Sequence, residues 1–152
     1  MNPDTSTRQP ALPMSAQERM ARNKKCLLDA LKRAGAVRAT VGYSGGGDEG
    51  FANETAGFGA DSTPVDLSDS VSVFIEHSHF LNGQWQSAVV QEERPLDDAL
   101  SDFAMEAVED HHGGWENGDG GAGEVVFDCA SEQVRIEHND YYTESEYTET
   151  TL

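Results

Sequence analysis

The chain has 152 residues, the size of one ordinary domain, and a formal net charge of −18. No apolar run approaches the roughly 20 residues that a membrane span needs, and the polar N-terminus lacks the apolar core of a signal peptide. These features disfavour membrane-spanning and secreted classes and predict a cytoplasmic protein.

The charges are distributed unevenly along the chain. Residues 1–38 hold eight of the ten basic side chains and three acids, a net charge of +5, whereas the remainder holds two arginines against 25 acids, a net charge of −23. Such a surface repels nucleic acid and anionic lipid, and it attracts a basic groove on another protein. A charge that simply keeps the protein in solution is an equally good explanation.

The first elements are a disordered arm, a helix and a strand. Residues 1–14 are polar and Pro-punctuated, and we expect them to be disordered, with a single domain at 15–152. A capping-box pattern predicts a helix from Ser15 to Ala34, ended by Gly35. Alternating apolar residues then predict a strand over Ala36–Tyr43, followed by a glycine loop, Ser44–Gly50.

Further strands and a second helix follow. The Asn82-Gly83 pair predicts a hairpin turn, and Pro95 with a 3–4-spaced apolar stripe predicts a helix over Pro95–His111. A long polar loop is expected over Gly113–Gly123, and the polar tail Tyr141–Leu152 is expected to form an edge strand. The other predicted strands are Phe51–Phe58, Val71–Phe80, Gln84–Gln91, Glu124–Cys129 and Gln133–His138.

This order predicts the fold class. Neighbouring strands joined by short turns indicate antiparallel pairing. We therefore expect an α+β fold with an antiparallel sheet of about five to seven strands and two amphipathic helices packed on one face.

The glycine loop formally matches the dinucleotide-binding pattern G-x-G-x-x-G at Gly45–Gly50. That site requires a helix after the loop to receive a pyrophosphate, but the residues that follow are typical of a strand. Asp48 and Glu49 would also repel phosphate. We expect a hairpin loop here and no cofactor.

A histidine-rich segment is the best candidate for metal chemistry. His111 and His112, with Glu116, Asp119 and Asp48, could ligate a divalent cation. Adjacent residues of a helix diverge by about 100°, which argues against a tight site at the two histidines. The alternatives are a histidine at a helix C-terminus and, for Trp115, a ring that anchors the loop.

Nucleophilic catalysis is not indicated. No Ser/His/Asp or Cys/His arrangement stands out, and Cys129 has no basic neighbour in the sequence to activate it. Cys26 and Cys129 are too few for a disulfide framework and are expected to be buried thiols.

Several segments are similar to those of a known family: His111–Asn117, Asp119-Gly120, Gly123-Glu124, Phe127-Asp128 and the tail Tyr142–Glu149, with Gly45–Gly50 upstream. On these residues the chain resembles an uncharacterised family of small bacterial proteins that are often encoded on plasmids, prophages and other mobile elements. The resemblance implies a mobile-element origin and supports the fold, but it implies no catalytic residue, and it is weak over residues 60–92.

These observations lead to a functional hypothesis. We expect a non-catalytic acidic interaction module that binds a basic, nucleic-acid-handling host or defence protein and modulates it, as an anti-defence (anti-CRISPR) or DNA-mimic inhibitor does. It would not contact nucleic acid or membrane itself. The partner-binding candidates are Asp48, Glu49, Trp115, Glu116, Asp119, Glu144, Glu146 and Glu149.

Two alternatives stay open from sequence. One is a divalent-metal-dependent hydrolase built on the loop that carries His111, His112, Glu116 and Asp119. The other is a structural accessory of a plasmid-encoded complex. The sequence does not determine the oligomeric state.

Overall fold

The computed structural model describes residues 14–46, 49–111, 120–140 and 146–152. Most of the arm predicted to be disordered therefore lies outside the described residues. Two helices and eight strands are present in the described ranges, in the following chain order: α1 Ala16–Arg33, β1 Arg38–Gly46, β2 Glu49–Phe58, β3 Pro64–Val65, β4 Ser70–Leu81, β5 Gln84–Pro95, α2 Leu96–His111, β6 Gly121–Asp128, β7 Gln133–Asp140 and β8 Glu146–Thr151.

The predicted ends of helix α1 are confirmed. The hydroxyl oxygen of Ser15 accepts a hydrogen bond from the backbone N–H of Glu18, which satisfies one of the free donors of the first turn. At the other end Gly35 has φ +89°, and the N–H of Ala36 donates to the carbonyl of Leu31. This is the Schellman ending, in which a residue without Cβ adopts the left-handed conformation at low cost.

Six strands form one antiparallel sheet in the order β3-β2-β1-β6-β7-β8. Both helices contribute buried side chains to a core shared with one face of this sheet, which confirms the predicted α+β architecture. Phe103 of α2 lies 5.7 Å from Phe127 of β6 between ring centroids. The described part of the tail forms β8 at the edge of the sheet, as predicted.

Strands β4 and β5 pair only with each other in the part of the chain that is described. Their two-residue turn, Asn82-Gly83, has φ of +53° and +77°, as a type I′ turn requires. The base of this hairpin is buried, at Val71, Val73, Val89 and Val90, and α1 packs on β4.

Several predicted boundaries were wrong. The glycine loop is shorter than Ser44–Gly50, because β1 continues to Gly46 and β2 begins at Glu49. Pro95 is the last residue of β5 rather than the first of the helix, and β6 begins at Gly121, inside the predicted polar loop. Strand β3 was not predicted, since two residues are too short for a periodic pattern.

The described helices include none that is long and apolar enough to cross a membrane.

Asn23 attaches the hairpin to α1. Its amide Nδ2 donates to the carbonyl of Phe74 over 2.8 Å, and its Oδ1 accepts from the N–H of Phe74 over 2.7 Å. One side chain thus takes the place of a neighbouring strand at the edge of β4.

We expect Asn23→Ala to lower the free energy of unfolding by roughly 1–2 kcal/mol, because two half-buried backbone groups lose their partner. Hydrogen exchange should show the loss concentrated at the base of β4. Gln17→Ala, at an exposed position of the same helix, is the control. Unchanged exchange at Phe74 in the Asn23 variant would contradict this role.

Candidate interaction face

The six-stranded sheet has one face against the helices and one outer face. On β1 the side chains of Ala39, Val41 and Tyr43 are buried on the helix side. Since side chains alternate along a strand, Thr40 and Gly42 belong to the outer face, as do the residues paired with them.

A row of four glutamates crosses this outer face. The pairing register runs Glu54–Gly42–Glu124–Glu137–Glu149, from β2 through β1, β6 and β7 to β8. We call Glu54, Glu124, Glu137 and Glu149 the acidic row. Neighbouring strands lie about 4.8 Å apart, so three of the four carboxylates stand on adjacent strands. Glu54, Glu124 and Glu149 are exposed.

One cation lies beside the acidic row. Arg135 Nε donates to Glu137 over 2.9 Å and lies 3.5 Å from Glu149. The hydrogen bond to Glu137 and the nearby carboxylates raise the pKa of Arg135 above its ordinary value. Tyr147 stands on the same face, and partial burial, reinforced by Glu137 and Glu149, raises the pKa of its hydroxyl. The row therefore keeps an excess of negative charge.

The ion pairs of α1 lie away from the acidic row. Two of these ion pairs lie within the helix and two reach other parts of the molecule, but none of those found among the described residues reaches the acidic row. The pairs are Arg19–Glu106, Arg22–Glu18, Lys25–Asp29 and Lys32–Glu132. The basic helix packs against the body without neutralising the outer face of the sheet.

The helix-side face contains a buried polar pair that the sequence analysis missed. Tyr43 Oη and His138 Nδ1 share a hydrogen bond of 2.5 Å, and both side chains are almost fully enclosed. Gly123 lies between them in the register, and the Tyr43 ring crosses the space that a Cβ there would take. This pair is enclosed in the core rather than presented to a ligand.

The cleft between α1, α2 and the β4–β5 hairpin has a volume of about 310 Å³. Its polar lining is largely paired within the protein. Arg19 contacts Glu106 and Asn23 contacts Phe74, so these groups hold the three elements together. The cleft indicates a structural junction more than a ligand site.

The two cysteines have the character of structural thiols. Cys129 is buried and Cys26 is half-buried, and each is free. Burial raises the pKa of both thiols, with Asp29 adding to the effect at Cys26, so neither thiolate is favoured at neutral pH.

The structure places only part of the predicted site. Glu149 lies in the acidic row, and His111 is the exposed last residue of α2. Glu49 and Glu146 begin strands β2 and β8, but their side chains are outside what is described. The residues that lie wholly outside the described ranges are Asp48, His112, Trp115, Glu116, Asp119 and Glu144.

The metal hypothesis gains no support from the described residues, which contain no group of three or more potential His, Cys, Asp or Glu ligands. The other proposed ligands around His111 fall outside those ranges.

Sequence reasoning missed Glu54, Glu124 and Glu137 as members of a site. Apolar and polar residues alternate along their strands, and this alternation predicts that each glutamate faces solvent. The alignment of the four into one row depends on strand order and register, which that signal does not provide.

These features define an α+β protein with a helix-covered face and an acidic open face on one antiparallel sheet. The chain belongs to a family of unknown function, DUF6878, whose model matches residues 19–152. The match includes residues 60–92, where the resemblance seen in the sequence was weak. Comparison with curated proteins and with solved structures found no match.

Proposed function

We propose that this chain is a non-catalytic interaction module that binds the basic surface of another protein through the outer face of its sheet. The acidic row carries the proposal, because carboxylates aligned across a rigid sheet present a fixed line of negative charge. A matching row of Lys and Arg on a partner would be attracted to these carboxylates and aligned by them.

The net charge supports the same conclusion. Residues 39–152 carry two arginines against 25 acids. None of the α1 ion pairs found among the described residues involves the row, so Arg135 compensates it only in part. Direct binding to nucleic acid is disfavoured, since it requires cations that displace counterions from phosphates.

The finer form of the proposal concerns the class of partner. A groove that handles nucleic acid is basic along a line, and a line of carboxylates can occupy it in place of phosphates. We therefore propose a nucleic-acid-handling host or defence protein as partner, with this chain, encoded on a mobile element, as an anti-defence or DNA-mimic inhibitor. The sequence-based candidates in the loops, Asp48, Trp115, Glu116, Asp119 and Glu144, with Glu49 and Glu146, extend the proposed interface.

The acidic row is tested with the triple variant Glu54→Gln, Glu124→Gln and Glu149→Gln. These exposed side chains have no described role in the core, so the variant should fold. We expect about tenfold weaker binding to a basic partner, since three exposed charge pairs are worth about 0.5 kcal/mol each. Proteins captured from a cell lysate on immobilised protein are quantified by mass spectrometry at about 50 mM and about 300 mM salt.

The matched control removes the same number of charges elsewhere, with Asp61→Asn, Glu93→Gln and Glu109→Gln, all at exposed positions. A basic protein retained by the control and lost by the row variant supports the proposal. Equal losses in the two variants, or capture that salt does not weaken, would contradict it. Duplex DNA should displace the captured partner if that partner's nucleic-acid groove is the site.

A further inference from the structure

The far half of the β4–β5 hairpin projects from the molecule. Every described side chain between residues 78 and 87 is exposed, whereas the base of the hairpin is buried. Four residues per strand with a rise of about 3.4 Å carry the turn about 14 Å beyond the base.

Large apolar side chains are concentrated at this tip. Phe80 and Trp85 face each other across the strands in an edge-to-face contact of 5.5 Å, and they are 60% and 73% exposed. Leu81, at 48% exposure, borders the turn on the other face. We call Phe80, Leu81 and Trp85 the hairpin tip.

Such exposure carries a cost in water that the described fold does not explain. A tryptophan and a phenylalanine side chain each bury about 150–250 Å² when enclosed. That burial typically stabilises by about 2 kcal/mol or more for each side chain. The type I′ turn holds the tip rigidly, so little further ordering would be needed on docking. Aromatic anchors on a rigid element are typical of binding hot spots.

The charges around the tip restrict what it can bind. Residues 70–93 of the hairpin contain no lysine or arginine. Its acids, Glu76, Glu92 and Glu93, lie toward the base, where Glu92 is paired with Arg94 and His77. Without cations the tip is unsuited to phosphates of nucleic acid or of anionic lipid. A second copy of the chain would bring another net charge of −18, which opposes self-association.

We propose that the hairpin tip inserts Phe80 and Trp85 into an apolar pocket, rimmed by basic residues, on a partner protein. The inference deepens the proposed function by assigning a second contact that supplies apolar burial, while the acidic row supplies charge complementarity. It rests on the protein having a protein partner, and it does not depend on the acidic row being the other contact.

A photo-crosslinking experiment tests the occupant directly. The full chain carries benzoylphenylalanine in place of Leu81 and is irradiated in a cell lysate, and crosslinked peptides are sequenced by mass spectrometry. The expected product joins position 81 to a different protein, at an apolar segment flanked by Lys or Arg. A crosslink to another copy of this chain, a crosslink to nucleic acid, or no crosslink would overturn the proposal.

Binding of the crosslinked protein, once purified, is then measured for variants of the tip. Phe80→Ser with Trp85→Ser should weaken binding by about tenfold or more, as loss of a hot-spot pair does. Gln84→Ser with Gln86→Ser, exposed polar positions of the same strand, should change it less than about twofold. Equal effects of the two pairs would count against the tip.

Two further measurements separate this inference from its alternatives. Co-sedimentation of the wild-type protein with phosphatidylcholine vesicles, lost in the tip variant, would identify a lipid occupant and overturn the proposal. The acidic-row triple variant should crosslink at position 81 to the same protein with lower yield. If the row variant binds as well as wild type while the tip variant does not, the acidic row fails and the tip inference stands.

Discussion

Replacing Gly123 by alanine should be among the most destabilising single-methyl changes in this protein. A Cβ at this position would overlap the backbone carbonyl oxygen of Glu137 on the neighbouring strand, and would lie 2.5 Å from Tyr43 Oη and 2.8 Å from its Cζ. The carbonyl belongs to the β6–β7 ladder, and the Tyr43 ring is held by His138, so neither neighbour can move freely.

We expect Gly123→Ala to lower the free energy of unfolding by about 3 kcal/mol, the upper part of the range for overpacking a closed interior. Urea titration followed by circular dichroism measures it. The loss caused by Gly123→Ala should be smaller when it is measured against Tyr43→Phe alone, because removal of Oη relieves the overlap at 2.5 Å while those with Cζ and with the Glu137 carbonyl remain. If the free energy of unfolding of Gly123→Ala lies within about 1 kcal/mol of wild type, the strands can move apart to admit the methyl group, and the expected overlap is contradicted.

Gly42→Ala provides the matched control, because Gly42 is a glycine of the adjacent strand and faces the other side of the sheet. The nearest atom to its Cβ is the carbonyl oxygen of Glu54 at 3.9 Å, an ordinary contact. The free energy of unfolding of Gly42→Ala should be equal to that of wild type or up to about 1 kcal/mol higher, since alanine loses less backbone entropy on folding than glycine.

The elements that sequence predicted well are those governed by local physics. The Ser15 cap, the Gly35 ending and the Asn82-Gly83 turn each follow from the chemistry of one to four neighbouring residues. The glycine-rich ends of β1 and β6 were missed, because Gly45 and Gly121 pair across the strands through backbone bonds that leave no side-chain pattern.

Prediction of the acidic row requires the strand order and register, which depend on residues far apart in the chain. Glu149 was predicted from the acidic tail, but its three companions come from strands up to 95 residues earlier in the chain and meet only through the β2-β1-β6-β7-β8 order. His138 illustrates the same limit, because its alternation with Val134 and Ile136 indicates the buried face of the strand but does not identify Tyr43, 95 residues earlier, as its partner. Only the fold shows that it is enclosed beside Tyr43.

Arg19 links α1 to α2 through an ion pair with Glu106. Its guanidinium is hydrogen-bonded to both carboxylate oxygens of Glu106, one of them over 2.9 Å. The Arg19 side chain is 9% exposed and that of Glu106 is 35% exposed. The Nε atom of Arg19 is enclosed without a hydrogen-bond partner among the described residues, so Glu106 carries most of the compensation for this buried charge.

We therefore expect the two single substitutions to differ in cost. Glu106→Leu leaves the Arg19 cation enclosed and unpaired, and removal of one partner of a buried pair typically costs about 3–5 kcal/mol. Because water reaches about a third of the Glu106 side chain, we expect a cost below that range, about 2–3 kcal/mol. Arg19→Met removes the enclosed charge and leaves a carboxylate that water can reach, so it should cost less.

The double variant Arg19→Met with Glu106→Leu distinguishes two roles of the ion pair. The pair either stabilises the fold itself, or only offsets the cost of burying the Arg19 charge. If desolvation of Arg19 is the main cost, the double variant should unfold at a higher urea concentration than Glu106→Leu alone, and close to wild type, because no charge is then left in the interface. A double variant as unstable as the sum of the two singles would instead show that the two side chains act independently. In that case the junction of α1 and α2 depends on the apolar core, with Leu27 and Leu100 among its fully buried members, and the ion pair contributes little to holding the helices on the sheet.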